Sequence, residues 1–422
     1  MTKVSNRRSF LKRTTGGLVA LREPRAPVAP VSLVETRDQD PYPAYAAARA
    51  LGTVVWDEGM AAWLVLDHKG CAFVETREDL FAEFTGTLQG ADRLTGPHEF
   101  RLLVGEPHHR LHHYLAQRWL PAAIEPYRSA FVRPIVEQRV TALRAAGRAE
   151  LWADFAAVVP TAVMGRVIGL PPMDEADLRR AKGFTDAVLA WRHCYGADPT
   201  KVAAAVEATR ELERAILPVV RARREAPQDD LISGLWEVGP SVVETWDEQD
   251  VLDNVKPLFE AGAETTSLLI CIGMHLALGD AEIRARIGDG GEPLRRFVEE
   301  TLRHTTVVHW RARIATRDIE LGGVTIRTGD RVHPVNAAAN RDPARYPDPD
   351  RFDLGRKGYL SHLAFNMGPR HCAGAWLARM EAYEALLALL AVPGLRLDPE
   401  AAPPHMSGFV SRTFRPLHVR VG

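Results

Sequence analysis

Apolar residues along the chain recur mainly at the spacing of helices. Val136, Val140 and Leu143 form an i, i+4, i+7 stripe, and similar spacing runs through much of 107–224, which predicts helices with one buried face. The same criterion predicts further helices over 40–50, 252–278, 292–304 and 375–390. The dominant secondary structure is therefore predicted to be α-helical.

Short segments of strand character predict a minor β component. Two strands are expected over 53–56 and 62–66, on either side of the turn at Glu58-Gly59, and others lie around turns near 319–324 and 331–332. Residues 340–352 contain three prolines and predict an irregular meander. We therefore expect a mainly α fold with a small β region, with one domain over 36–422 and a disordered tail over 1–35.

Composition and charge narrow the class of protein. The chain has 53 Lys and Arg against 54 Asp and Glu, and 46% of its residues are hydrophobic, which is typical of a globular protein. The balance of charge argues against nucleic acid or an anionic membrane as a partner, and no uncharged apolar run has the length of a transmembrane helix.

The cysteines and the N-terminus bear on cellular location. The four cysteines are far apart and form no C-x-x-C pair, which favours a reducing, cytoplasmic compartment and a cysteine that acts alone. Residues 6–12 resemble a twin-arginine export signal, but the apolar stretch that follows is short. Export therefore remains the alternative to a cytoplasmic location.

One segment carries the strongest chemical signal. Residues 365–374 have the pattern F-x-x-G-x-x-x-C-x-G and lead directly into the helix predicted from Ala375. A cysteine just before a helix N-terminus meets the positive end of the helix dipole, which favours the thiolate of Cys372. Phe365 can shield the sulfur from water, and Gly374 permits a turn and close approach to a flat ligand.

This segment resembles the haem-binding loop of the cytochrome P-450 enzymes, and further motifs follow in that family's order. The resemblance runs from about residue 40 to residue 421. It implies the cytochrome P-450 fold and a haem b whose iron is bound by Cys372, with the haem between a long oxygen-activating helix and the helix that follows the cysteine. A thiolate ligand donates electron density to iron and favours cleavage of the O–O bond.

The E-x-x-R motif lies ahead of the meander, as the family requires. A helix places Glu300 and Arg303 on one face, and an ordinary surface ion pair would be the alternative for the motif alone. By resemblance, the two residues and the meander form a structural network under the haem.

A second motif lies within the long helix predicted over 252–278. Gly262 inside a helix costs about 1 kcal/mol against alanine, and we expect it to allow close approach to a haem. A threonine hydroxyl that bonds back to a carbonyl can open a local bulge. The segment Ala261-Gly262-Ala263-Glu264-Thr265 is similar to the family's oxygen-activating helix, which implies haem contacts at Ala261 and Gly262 and proton delivery by Glu264 and Thr265.

The two haem propionates require cations or hydrogen-bond donors. By resemblance, these are Arg313, Arg370, His108 and, where the family has an arginine, His112. The pairs His108/His112 and His109/His113 also have the i, i+4 spacing of a helical zinc site, although no third ligand is evident. A second departure from the family is Val307, which stands in place of a common proline near the substrate pocket.

The resemblance implies a bacterial-type monooxygenase that oxidises a mainly apolar small molecule. No flavin or nicotinamide fingerprint is evident, so we expect a monomer that receives electrons from a separate ferredoxin or flavodoxin with an NAD(P)H-dependent reductase. Candidate basic docking residues are Arg110, His113, Arg118 and Arg379. Candidate pocket residues are Phe84, Leu88, Val188, Trp191, Phe259, Ala263, Val308 and Phe409. The alternatives are oxidative coupling, peroxide-driven oxidation and non-enzymatic haem sensing.

Overall fold

Helices make up most of the structure. The computed structural model describes residues 26–83, 94, 96–193 and 198–422. The α-helices are α1 Tyr42–Arg49, α2 His68–Thr76, α3 Glu106–Arg118, α4 Pro121–Tyr127, α5 Arg133–Ala146, α6 Val158–Ile168, α7 Glu175–His193, α8 Pro199–Glu225, α9 Leu231–Val242, α10 Glu248–Gly279, α11 Ala281–Ile287, α12 Gly291–His304, α13 Asn336–Ala339 and α14 Ala375–Leu390. The predicted stripe of Val136, Val140 and Leu143 is the buried face of α5.

Within the described residues, the strands are short and belong to four small sheets. They are β1 Val54–Asp57, β2 Ala62–Val65, β3 Phe81–Glu83, β4 Arg148–Glu150, β5 Arg313–Ala315, β6 Ile319–Leu321, β7 Val324–Ile326, β8 Arg331–Pro334, β9 Arg396–Leu397, β10 His405–Gly408, β11 Arg412–Arg415 and β12 His418–Arg420. The prediction of a mainly α fold with a small β region is confirmed.

The largest sheet has the order β1-β2-β8-β5-β3, in which only the β2–β8 pair is parallel. Its register places Glu83 of β3 opposite Arg313 of β5. The other sheets are β4-β12-β9 and the hairpins β6-β7 and β10-β11. The five-stranded sheet therefore brings an acidic and a basic side chain, 230 residues apart in sequence, to the same edge.

Helix α10 is the central helix of the main hydrophobic core. Its N-cap is Asp247, whose carboxylate accepts hydrogen bonds from Gln249 N and Asp250 N in a capping box, so the helix begins four residues before the predicted start. By length and composition alone it could cross a membrane, but 67% of its most apolar 18-residue stretch is buried inside the protein. It packs against α6, α8 and α14.

The first described residues differ from the prediction of a disordered tail up to residue 35. Ala29 N donates to Trp56 O at 2.7 Å, and Trp56 N donates to Pro27 O at 2.8 Å. Ser32 caps a short 3-10 helix over Leu33–Thr36, and the side chain of Leu33 is buried in a second hydrophobic cluster. The predicted boundary is thus wrong for 26–35, and residues 1–25 lie outside the described part of the chain.

Candidate active site

The cysteine loop, residues 365–374, ends where α14 begins. Cys372 N donates to Phe365 O at 2.8 Å, which closes the loop, and Ala375 N lies 3.3 Å from Cys372 O at the start of α14. Gly368 has a φ of +71°, and a Cβ there would lie 3.0 Å from Thr76 Cα. Both backbone conformation and packing therefore require a glycine at position 368. The thiol of Cys372 is free, and the residue is half-buried.

The acidity of Cys372 is decided by more than the helix terminus. Burial raises the pKa of the thiol above its ordinary value, and the charge of Arg311, a hydrogen bond from the backbone of Gly374 and the charge of Arg379 oppose this only in part. Burial of the thiol thus outweighs the expected effect of the helix N-terminus, which would favour the thiolate. Bonding to a metal ion would itself deprotonate the sulfur.

One face of α10 borders an open space. Ala261 is exposed, and Gly262 and Thr265 are half-buried, although most residues before and after them in the helix are buried. Thr265 Oγ1 donates to Ala261 O at 2.8 Å, as expected. The helix nevertheless continues as α-helix from Glu248 to Gly279, so the predicted local bulge is wrong.

Gly262 has a packing role that the sequence did not indicate. A Cβ at this position would lie 2.5 Å from Met164 Sδ and 2.9 Å from Met164 Cγ. Met164 belongs to the buried face of α6. In the structure, the absence of a side chain at Gly262 thus lets α10 pack closely against α6. Its predicted contact with a haem stays a prediction.

Gly262→Ala is expected to destabilise the protein by about 1–3 kcal/mol, because the new methyl group overpacks the contact with Met164. The matched control is Gly183→Ala in α7, where a Cβ would meet nothing within 4 Å. That change should instead stabilise the protein by about 0.5–1 kcal/mol. Urea unfolding measures both, and equal effects of the two substitutions would contradict the packing role.

Arg313 and Arg370 reach the site from different elements, and each also contacts carboxylates. Arg313 pairs with Glu75 at 2.9 Å and with Glu83. Arg370 Nε lies 2.6 Å from Glu78 Oε1, and its Nη atoms donate to Arg101 O at 2.9 Å and Leu103 O at 2.8 Å. The three glutamates were not anticipated, since no motif includes them and only the tertiary structure places them beside the cations.

Two histidines of α3 lie close to Arg370 and the cysteine loop: His108 is near Arg370, and His112 contacts the loop itself. His108 is buried, and its Nδ1 accepts or donates no hydrogen bond among the described residues. Burial, the charge of Arg370 and the proximity of His112 lower the pKa of His108 to about 3. His112 Nε2 lies 2.6 Å from His371 O, which ties α3 to the cysteine loop.

The structure groups a different set of possible metal ligands from the predicted histidine pairs. Ligand atoms of Glu78, His108 and His109 all lie within 4.8 Å of one another. The rings of His108 and His112 are neighbours, with centroids 5.5 Å apart and planes tilted by 37°. Since Glu78 also pairs with Arg370, this set belongs to the cationic cluster beside the cysteine loop.

These residues fit a haem. The free thiol of Cys372, the open face of α10, the two arginines and the orphaned buried Nδ1 of His108 would suit an iron ligand, a flat macrocycle and two carboxylates. In that complex, Cys372 would hold the iron, and Arg313, Arg370, His108 and His112 would hold the propionates, with Phe365 and Gly374 beside the sulfur.

The E-x-x-R pair is fully buried and makes the contacts that the resemblance implied. Arg303 Nε and Nη2 donate to Glu300 at 2.8 and 2.7 Å. Arg303 also donates to Asn340 O at 2.9 Å and Pro349 O at 2.8 Å in the meander, while Glu300 accepts a hydrogen bond from Arg356 at 3.1 Å. The motif therefore binds α12 to the meander.

Glu264 is buried and poorly solvated. Burial, followed by the proximity of Glu260, raises its pKa well above the ordinary value, and the charge of Arg192 opposes this. Glu264 Oε1 makes no hydrogen bond among the described residues. The carboxyl group is therefore expected to hold a proton at neutral pH.

The candidate pocket residues separate into three groups. Val188, Trp191, Phe259 and Ala263 are buried in the main cluster, against which Val308 packs. Phe409 lies in the second cluster, with Arg37 4.4 Å and Trp310 5.3 Å from its ring centroid. Phe84 and Leu88 lie outside the described residues.

The candidate docking arginines are less free than expected. Arg379 pairs with Glu299 at 2.5 Å and covers Phe365 and Trp376. Arg110 pairs with Glu106, and Arg118 pairs with Asp229, both at 2.8 Å. Their charges are thus offset locally, which weakens them as contacts for an acidic partner, while His113 is exposed.

The fold and the cysteine site together define the haem-thiolate class of protein, and the comparisons with known proteins agree. The cytochrome P450 family model matches residues 293–413. Cytochrome P450 monooxygenase PikC of Streptomyces venezuelae is 32% identical over 368 residues, covering 85% of each chain. The C-19 steroid 1alpha-hydroxylase of Sorangium cellulosum is 30% identical and covers 86% of this chain and 90% of its own.

Solved structures show the same fold. The myxobacterial cytochrome P450 CYP267B1, solved with myristic acid, has a TM-score of 0.80 at 29% identity and covers 92% of this chain and 98% of its own. CalO2 has a TM-score of 0.83 at 22% identity and covers 94% of this chain and 99% of its own. The chain belongs to the cytochrome P450 family. It is an oxidoreductase of the haem-iron monooxygenase type.

Proposed function

We propose that this protein binds haem b through Cys372 and inserts one atom of dioxygen into a mainly apolar small molecule. The half-buried free thiol ahead of α14 is the observation that carries the proposal. The open face of α10 at Ala261, Gly262 and Thr265 supports it. The bound haem supplies the activation of dioxygen, and the chain's own residues bind it, exclude water and deliver protons.

Glu264 and Thr265 are the proposed proton donors. The raised pKa of Glu264 keeps a proton on a buried carboxyl group, and the Thr265 hydroxyl lies on the open face of the same helix. Thr265 Oγ1 donates its hydrogen to Ala261 O, so the lone pairs of the hydroxyl oxygen can accept a hydrogen bond from water or from another proton donor. The two groups form an acid–alcohol pair suited to general acid catalysis.

Electrons would come from a separate ferredoxin or flavodoxin that an NAD(P)H-dependent reductase reduces. The surface beside the cysteine loop includes two exposed apolar residues: Trp376 is 44% exposed to solvent and Met367 is 37% exposed. Because Arg379 is paired with Glu299 there, we infer that apolar contact contributes more to docking than free positive charge. We propose a cytoplasmic location and a monomeric state.

Isotopically labelled dioxygen tests the reaction class. Turnover by the haem-loaded protein with a reductase system should place one labelled oxygen atom in the product. A product without the label would instead support oxidative coupling, and label derived only from peroxide would support peroxide-driven oxidation. Absence of turnover with every ligand that perturbs the haem spectrum would favour a sensor.

Thr265→Ala is expected to uncouple the enzyme. Without the hydroxyl, the proton-transfer step that leads to product should slow by about 10²–10⁴-fold, whereas reduction of the iron does not require this group. NADH consumption should therefore persist while peroxide rises and oxidised product falls. Peroxide, product and NADH are measured in the same reaction.

Thr265→Ser provides the control for this prediction, because it keeps the hydroxyl and loses only a methyl group. It should retain most of the product formed per NADH. If Thr265→Ala left that ratio unchanged, Thr265 would have a packing role alone.

A further inference from the structure

A half-buried arginine without an acidic partner lies ahead of β5. Arg311 is in the segment between α12 and β5, two residues before Arg313. Its carbonyl oxygen lies 3.1 Å from His333 Nδ1, but its guanidinium makes no hydrogen bond or ion pair with any residue that the structure describes. Because removing a charge from water is costly unless it is paired, an unpaired cation in a partly buried position favours an anionic ligand.

The charge of Arg311 acts on the cysteine side of the site. Burial raises the pKa of the Cys372 thiol, and of the two arginine charges that oppose this increase, that of Arg311 has a larger effect than that of Arg379. Arg379 lies on α14 and covers Phe365 of the cysteine loop. Since the interaction between charges weakens with distance, the guanidinium of Arg311 is near the sulfur.

The two arginines expected to bind the propionates already have carboxylate partners. The side chain of Arg313 is 3% exposed and pairs with Glu75 at 2.9 Å and with Glu83. That of Arg370 is 11% exposed, and its Nε lies 2.6 Å from Glu78. A propionate at either arginine would share the cation with a glutamate, and like charges at one site disfavour each other.

The histidines of α3 do not replace the missing free charge. Burial, followed by the charge of Arg370, lowers the pKa of His108 to about 3, so its imidazole is neutral at neutral pH. His112 Nε2 lies 2.6 Å from His371 O. A guanidinium, in contrast, is charged at every physiological pH. Arg311 thus offers a permanent charge that no described carboxylate offsets by an ion pair.

We infer that Arg311 binds a haem propionate and supplies the positive charge that Arg313 and Arg370 share with glutamates. This inference rests on the proposed binding of haem through Cys372 and adds a residue that no sequence motif included. The guanidinium would donate two parallel hydrogen bonds to the carboxylate, an arrangement that adds both strength and geometric specificity.

A carboxyl group of the substrate is the other anion that could reach this cation. The substrate is expected at the open face of α10, and there the arginine whose charge acts on Glu264 is Arg192. Arg311 instead acts on Cys372, ahead of α14. The charges therefore favour a carboxylate of the cofactor over one of the substrate.

The rate at which the loaded protein loses haem to excess apomyoglobin tests this role. Arg311→Gln should lose haem about ten- to a hundredfold faster than the wild type, because a hydrogen bond between charged groups is removed. Arg317→Gln is the matched control, since Arg317 lies just after β5 and pairs with Asp79 on the surface; its rate should equal that of the wild type. Arg311→Lys keeps the charge but loses the forked donors. It should also release haem faster than the wild type, and it tests the role even if Arg311→Gln fails to fold.

Haem dimethyl ester identifies the partner of Arg311. Esterification removes the propionate charges, so the wild type should release the ester faster than haem, and the two rates should lie closer together in Arg311→Gln. Glu75→Gln is a second, independent variant. It leaves Arg313 with one carboxylate partner fewer, so it should slow the loss of haem both alone and in combination with Arg311→Gln.

Wild-type haem retention in Arg311→Gln, or an unchanged difference between haem and its ester, would overturn the inference. Unchanged haem retention with weaker binding of dodecanoic acid relative to dodecanol would overturn it too, because Arg311 would then serve the substrate. The carbon monoxide spectrum of the reduced wild type separates these outcomes from failure of the proposed function. A haem-thiolate spectrum without an effect of Arg311 overturns only this role, whereas absence of that spectrum overturns the function on which it rests.

Discussion

Cys372→Ser is expected to abolish both the haem-thiolate spectrum and dioxygen-dependent turnover. The haem-loaded, reduced protein with carbon monoxide should absorb at about 450 nm if the thiolate of Cys372 holds the iron, and a serine oxygen lacks the electron donation that produces this band. Absorption spectra and bound-haem content are measured on the same samples. Complete loss of the band in the variant is the expected result.

The other buried cysteines of the described residues are matched controls for this prediction. Cys71 donates its Sγ–H to Val65 O at 3.1 Å, and Cys271 is fully buried in the main core. Cys271→Ser should therefore lower stability, since it buries a hydroxyl among apolar groups, and yet keep the band. Retention of the band by Cys372→Ser would show that another residue binds the iron.

Arg303→Ala is expected to destabilise the protein by about 3–5 kcal/mol, because it leaves the buried carboxylate of Glu300 without its main partner. It also removes the hydrogen bonds that hold Asn340 O and Pro349 O of the meander. We therefore expect poor retention of haem rather than a slow chemical step. Urea unfolding and the ratio of haem to protein measure the two effects.

An exposed pair of the same spacing on α12 is the control for Arg303→Ala. Arg295 Nε lies 3.2 Å from Glu292, and both side chains are more than half exposed. Arg295→Ala should cost no more than about 1 kcal/mol and leave haem content unchanged. Full haem content with reduced turnover in Arg303→Ala would contradict a structural role for the motif.

Some features of this protein could be predicted from local sequence. Helix α14 runs from Ala375 to Leu390, as predicted, because the glycine-containing loop before it and the apolar run within it define both ends. The pairing of Glu300 with Arg303 followed from helical spacing, since i and i+3 share a face, whereas its contact with the meander followed from the resemblance. These predictions succeeded because the interacting residues are neighbours along the chain or along one helix.

Other features depend on residues that are distant in sequence. No local pattern indicated that Glu83 would pair with Arg313, because that contact follows from the register of β3 and β5. The pairing of Arg313 with Glu75 of α2 likewise joins elements that are far apart in sequence. The ordered structure of residues 26–35 was missed for the same reason: backbone hydrogen bonds of this segment go to Trp56 of β1. Pairing between separate strands leaves little trace in composition.

By itself, the sequence determined the family, the cysteine and the motifs around it, since those residue types recur at set spacing for chemical reasons. The tertiary structure decided the environment of each group. It placed Met164 against Gly262 and Arg192 beside Glu260, and it buried Cys372 enough to raise its pKa. Packing and desolvation depend on every element that surrounds a side chain, so they appear only once the chain is folded.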